Sequence, residues 1–282
     1  MIEKKIIPVP CAGYKKSATL YVEPGRPLRA AVLYYHGGAL IYGEREDLPQ
    51  YHIDRLCGDG CAVLAMDYPL SPNVSAGQIL DDVRVGIEWY IAERTRLLSR
   101  ALPFFLLGRS AGAYLCLMTL TGELSEAPAG ILSYYGYGLL CGGWYDTPSR
   151  FYLRYPAVPP ACLGLAGGEA CAERELGRFF ALYVYLRQTG KWGEFLRGGS
   201  RAPNPSLREL PPARVCPILL AHSRLDPDVP FEEFTALTRL FPDSVQYTVS
   251  LPKHDFDSDT GSEEARALIE LSLKFINENA GA

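Results

Sequence analysis

Apolar residues fall into two rhythms along the chain. Short runs with almost no polar interruption occur at Ala30–Tyr35, Cys61–Met66, Leu102–Leu107, Gly130–Tyr135 and Cys216–His222. Such runs read as strands covered on both faces, as in a parallel sheet. The second rhythm is helical. From Gly77 to Leu98 the apolar residues Ile79, Leu80, Val83, Ile87, Trp89, Tyr90, Ile91, Leu97 and Leu98 leave the charges to the other positions. This spacing predicts one amphipathic helix with its stripe on the sheet. Leu48–Cys57, Ala113–Met118 and the stretch from Phe231 to Phe241 predict further helices. Strand and helix alternate from residue 30 to residue 136, which implies a parallel sheet with helices on both faces.

The ends of the chain extend this scheme. Lys4–Val9 and Ala18–Val22 flank a turn at Pro10–Tyr14 and predict an antiparallel hairpin at a sheet edge. Val245–Val249 reads as a last strand. Ser262 is placed to cap a final helix, with Glu263 and Glu264 suited to the positive end of its dipole, running to about Asn277.

Between Gly138 and Leu210 the alternation stops. Trp144, Tyr145, Phe151, Tyr152 and Tyr155 sit among prolines and glycines, and one helix is predicted over Ala172–Thr189. So many aromatics argue against a disordered linker. The expected organisation is a core of residues 1–137 and 211–282 with a cap inserted over 138–210.

Composition narrows the function. The chain has 282 residues, 48% apolar and 21% charged, with a formal net charge of -4. No basic stripe points to nucleic acid. The N-terminal residues lack the apolar core of a signal peptide, and no uninterrupted apolar run is long enough for a bilayer. The eight cysteines form no CxxC pair and no Cys/His cluster with zinc spacing. Cys116 and Cys216 lie in apolar runs and read as small core residues. The expectations are reduced thiols, a cytoplasmic compartment and no metal.

The chemistry lies in the turns. Gly108-Arg109-Ser110-Ala111-Gly112 joins a predicted strand to a predicted helix. A serine at the apex of so tight a turn needs glycine two places to either side and presents its hydroxyl at the sheet end. His36-Gly37-Gly38-Ala39, Asp226 and His254 also fall at the carboxyl ends of predicted strands. That edge is where open α/β sheets bind ligands. A serine hydroxyl is a weak nucleophile until a base takes its proton, and His254 suits that role. Asp226 suits the carboxylate that orients the ring. The amides of Gly38, Ala39 and Ala111 are candidates for an oxyanion hole.

Each assignment has competitors. Of the four histidines, His36 reads as a brace for its own loop and His52 as a surface or packing residue of a helix. His222 reads as a loop support or pocket residue. Asp228 competes with Asp226 but reads as a hydrogen-bonding residue of the turn. Asp255 and Asp257 flank the base and could tune it, with a solvated loop as the default.

The strings Tyr35-His36-Gly37-Gly38-Ala39, Asp67-Tyr68-Pro69-Leu70-Ser71-Pro72, Gly108 to Ala113, Asp226-Pro227-Asp228-Val229-Pro230 and His254-Asp255-Phe256 resemble the α/β-hydrolase superfamily. Within it they are most similar to the hormone-sensitive-lipase-like carboxylesterases. The resemblance spans residues 30 to 256 apart from the cap. It implies an eight-stranded, mostly parallel sheet with an inserted cap, and cofactor-free hydrolysis of carboxylic esters. Three positions depart from the family. Ala39 stands where a third glycine is usual, and its methyl crowds the acyl group. Arg109 replaces the usual Asp or His, and Pro69 stands where the family has arginine.

The leading expectation is a serine hydrolase for small-molecule esters of small or medium acyl chains. A homodimer through an edge strand is compatible with the fold. An amide or peptide hydrolase is the first alternative, with Glu173, Glu175 and Arg187 as substrate anchors. A binding or sensor protein that has lost turnover is the second. Specificity is expected in the cap, where Trp144, Tyr145, Phe179, Phe180, Tyr183, Tyr185 and Trp192 are either pocket or core.

Overall fold

A computed structural model describes residues 1–11, 13–209 and 215–281. Eight strands form one sheet: β1 (Glu3–Pro8), β2 (Ser17–Val22), β3 (Ala30–Tyr35), β4 (Cys61–Met66), β5 (Phe104–Arg109), β6 (Gly130–Tyr134), β7 (Ile218–Ser223) and β8 (Val245–Val249). Their order is β1-β2-β4-β3-β5-β6-β7-β8. The β1–β2 hairpin lies at one edge, and β2 pairs antiparallel with β4. From β4 to β8 every pairing is parallel. This is the α/β-hydrolase fold.

The central strands are buried on both faces, as their unbroken apolar runs require. Alternate residues separate two cores. Ala31, Leu33, Tyr35, Phe104 and Leu106 face one, and Ala30, Val32, Tyr34, Phe105 and Leu107 face the other. The first core is closed by α2 (Ala76–Leu98), α3 (Ala111–Met118) and α6 (Phe231–Leu240). The second is closed by α1 (Gln50–Gly58) and α7 (Glu263–Asn279). Ser262 caps α7, its Oγ accepting from Ala265 N at 3.1 Å. Ser75 caps α2 in a reciprocal box with Gln78.

Boundaries move where backbone chemistry demands it. The strand expected from Leu102 begins at Phe104, after Pro103, which has no N–H for the ladder. It extends through Gly108 and Arg109, which pair with Ser133 and Tyr134. β7 likewise begins after Pro217, so Cys216 lies outside it and is only half-buried, whereas Cys116 is fully buried.

Among the described residues no strand lies between β6 and β7. That stretch holds short 3-10 turns, α4 (Leu176–Thr189) and α5 (Trp192–Leu196). The helix expected from Ala172 starts four residues later. Residue 174 instead exchanges backbone hydrogen bonds with Gly43 at 2.9 and 3.1 Å. The expected boundary at Leu210 and 211 lies outside the described residues. Among the described residues, no helix is long and apolar enough to cross a membrane.

Candidate active site

The turn at Ser110 is tight because three backbones meet there. A Cβ on Gly108 would collide with the Gly112 and Ala113 backbone, and one on Gly112 with the carbonyls of Tyr35 and His36. Ser110 itself has φ 53° and ψ -116°, a positive-φ conformation that costs an L-residue energy. It is held by bonds on both sides: Ser110 N donates to Tyr134 O at 2.9 Å, and Tyr114 N donates to Ser110 O at 3.0 Å. The hydroxyl therefore stands at the carboxyl end of β5, at the first turn of α3.

Two residues separated in sequence meet it. His254, in the loop after β8, places Nε2 at 2.8 Å from Ser110 Oγ. Its Nδ1 lies 2.7 Å from Asp226 Oδ2, in the loop after β7. With Nδ1–H donating to the carboxylate, Nε2 is free to accept the serine proton. The other oxygen of Asp226 accepts the amides of Asp228 and Val229 at 2.8 and 3.0 Å. Burial alone would lower the His254 pKa, but the Asp226 carboxylate outweighs it, with Asp228 and Asp255 adding to the effect. The ring is pushed up to about 9. Burial opposes ionisation of Asp226, yet its pairing with His254 holds it below the ordinary carboxylate range.

The loop after β3 completes the site. Gly38, Ala39 and Leu40 all have positive φ, at 97°, 56° and 62°. A Cβ on Gly38 would strike the Tyr42 carbonyl, so glycine is required there. The stretch 138–209 pins this loop. Trp192 Nε1 donates to Ala39 O at 3.1 Å. Arg174 donates from Nη1 to Ile41 O at 3.2 Å and to Ser71 O at 2.5 Å. Sequence reasoning singled out Glu173 and Glu175 and passed over the arginine between them. Both glutamates are exposed while Arg174 is 8% exposed.

A second charged group lies beneath. Arg109 and Asp257 are both buried, and Nη2 of the arginine donates to Asp257 Oδ1 at 3.1 Å. Tyr135 accepts from Arg109 Nε at 2.6 Å and donates to the same carboxylate oxygen at 2.7 Å. Its ring packs edge-on against His254, centroids 4.7 Å apart. Asp255 is exposed yet lines the cavity and helps to raise the His254 pKa, whereas Asp257 is buried and neutralised by an arginine 148 residues away. Burial would raise the Asp257 pKa, but Arg109 lowers it further.

The remaining histidines take structural positions. His36 is stacked on Tyr68 at 4.2 Å, its Nδ1 2.7 Å from Gly37 O, bracing its own loop. His222 Nε2 donates to Val229 O at 3.1 Å and lies 3.5 Å from Asp226, supporting the acid's loop. His52 is a packing residue rather than a surface one: it is fully buried, 3.7 Å from Asp257. Asp228 does more than close its turn, since both carboxylate oxygens accept from Tyr183 OH at 2.8 and 2.9 Å.

A cavity of about 180 Å³ opens beside Ser110. Its walls include Gly38, Ala39, Tyr137, Trp192, Asp228 and His254. Of the seven aromatics considered for specificity, only Tyr183 and Trp192 line it. Trp144 packs on Trp192 instead, and Tyr145 packs on Trp144. Among the described residues no group of three or more His, Cys, Asp or Glu is placed to hold a metal ion.

The chain is similar to several known proteins. A family model described as alpha/beta hydrolase fold matches residues 32–159. The chain is 35% identical over 121 residues to Esterase LipU of Mycobacterium tuberculosis, a match covering 40% of this chain and 37% of that protein. Among solved structures, a protein with unknown function from Staphylococcus aureus is 25% identical with a TM-score of 0.80, covering 99% of both chains. An α/β-hydrolase superfamily protein from Enterococcus faecalis is 26% identical with a TM-score of 0.77, covering 94% of this chain and 96% of that one. An esterase from the bacterial hormone-sensitive lipase family shares the fold at 16% identity and a TM-score of 0.66, covering 99% and 85%.

Proposed function

We propose that the chain is a serine carboxylesterase of the α/β-hydrolase superfamily, to which it is similar over residues 32–159 and in its fold. Ser110 attacks the ester carbonyl while His254 takes its proton. Asp226 fixes the ring tautomer and stabilises the imidazolium. The amides of Gly38, Ala39 and Ala111 receive the developing oxyanion. His254 then protonates the leaving alcohol, and later takes a proton from the water that releases the acyl group. The observation that carries this reading is the single imidazole standing 2.8 Å from Ser110 Oγ and 2.7 Å from Asp226.

The stretch 138–210 is read as a cap, since Trp192 and Tyr183 bring it to the cavity wall. A cavity of about 180 Å³ is little larger than a dry one of roughly 150 Å³ that admits benzene. It suits a short acyl group, and esters of short acids are the expected substrates. The anchors considered for an amide substrate do not favour that alternative. Glu173 is paired with Arg45, Glu175 is exposed and Arg187 is buried behind Asp228. None of the three lines the cavity.

Parallel assays of nitrophenyl acyl esters and aminoacyl anilides test the reading. Turnover of acetyl and butanoyl esters that disappears in Ser110→Ala supports it. Anilide turnover without ester turnover overturns it.

A further inference from the structure

The cavity beside Ser110 is aromatic and acidic at once. Tyr42, Tyr135, Tyr137, Tyr183 and Trp192 contribute rings to its lining, and Asp47, Asp228 and Asp255 contribute carboxylates. Apart from His254, the cation among the lining residues is Arg109, and its charge is already met by Asp257 at 3.1 Å and by Asp47 at 3.7 Å. A second guanidinium, Arg187, stacks on Trp144 at 4.8 Å and Trp192 at 5.5 Å. It is offset by Asp228 at 3.7 Å. With Asp226 and Asp257 included, five carboxylates stand against two guanidiniums and one imidazole.

Tyr137 adds an independent sign. It is 2% exposed and lines the cavity, and among the described residues its hydroxyl has no hydrogen-bond partner. A buried hydroxyl without a partner is costly unless a ligand supplies one. Its oxygen can accept from an ammonium N–H, and aromatic faces beside carboxylates attract quaternary ammonium groups. The raised pKa of His254, to which Asp228 and Asp255 contribute, is consistent with the same negative potential.

Building on the ester-hydrolase reading of this site, we infer that the cavity selects esters bearing a positive charge, as a protonated amine or quaternary ammonium, over neutral esters of the same shape. Asp47 and Asp255 attract the charge, the tyrosines and Trp192 solvate it, and Ser110 attacks a short acyl group.

The test compares acetylthiocholine with its uncharged isostere, S-(3,3-dimethylbutyl) thioacetate, with nitrophenyl acetate as a neutral control. The expected result is a kcat/KM ratio of at least about tenfold in favour of the charged ester at low salt. The ratio should shrink with added salt, and also in Asp47→Asn and Asp255→Asn. A wild-type ratio near one, or a ratio that salt and both variants leave unchanged, overturns charge selection while leaving ester hydrolysis intact. If nitrophenyl acetate is hydrolysed but neither thioester is, their inhibition constants against it are compared with the same criterion. Failure to hydrolyse any ester overturns the hydrolase reading itself.

Discussion

Arg109, the residue before Ser110, is locked to Asp257, three residues after His254, by a buried hydrogen bond of 3.1 Å. The pair ties the turn that carries the serine to the loop that carries the histidine, and Tyr135 bridges it to the His254 ring. Breaking a buried pair by removing one partner leaves an uncompensated charge. Arg109→Met and Asp257→Asn should each destabilise by about 3–5 kcal/mol, and the double variant by less than the sum. Denaturant unfolding in a double-mutant cycle checks this. The Asp257 pKa is depressed, so its contribution is present above the unfolded carboxylate range and lost as pH falls through its folded value. Wild type should therefore lose stability more steeply in acid than Asp257→Asn.

The second prediction concerns pH. His254 must be neutral to act as a base, and its pKa is pushed up to about 9. The kcat/KM profile should rise with pH and reach half its plateau near 9, above the usual imidazole range. The same shift contributes stability that is complete below about 6.5 and lost as pH rises through 9. In Asp226→Asn the opposing carboxylate is gone, so burial should draw the ring pKa downward, while kcat falls by about 10⁴ through the wrong tautomer. Stopped-flow pH profiles and histidine NMR titration measure the two effects.

How much of this was legible in the chain depended on distance. Runs such as Val32-Leu33-Tyr34-Tyr35 announce buried strands because each residue reports its own environment. The four turns of the site were legible because glycine, serine, histidine and aspartate are demanded locally by tight backbone and by chemistry. Arg109 and Asp257 were visible only as an odd substitution and a loop acid. Their burial depends on each other across 148 positions, and neither betrays it alone. Arg174 was missed for the same reason: its partners, the carbonyls of Ile41 and Ser71 and the side chain of Asn73, lie about a hundred or more positions away. The clue available was an arginine followed by the apolar face of α4.

Arg174 yields the third prediction. Arg174→Met keeps the side-chain bulk and removes the donors to Ile41 O and Ser71 O. Two buried carbonyls lose charge-assisted partners, at a cost of about 2–4 kcal/mol. Looser packing of the loop after β3 should lower kcat more than it raises KM, which steady-state kinetics on short-chain nitrophenyl esters will resolve.

Ala39 supplies the fourth. It holds φ 56° while lining the cavity, a conformation that costs an alanine about 1–2 kcal/mol more than a right-handed one. Ala39→Gly relieves that strain and gains unfolded-state entropy, so stability should change by no more than about 1 kcal/mol. The lost methyl should shift the butanoyl-to-acetyl ratio of kcat/KM upward. An unchanged ratio would mean that Ala39 does not limit the acyl group.

The account rests on Ser110 as the nucleophile, at 2.8 Å from its base. Fluorophosphonate labelling followed by peptide mass spectrometry tests this most directly. The expected result is one adduct, mapped to Ser110, absent from Ser110→Ala and slowed in Asp226→Asn. An unlabelled wild-type protein, or equal labelling of Ser110→Ala, would contradict it.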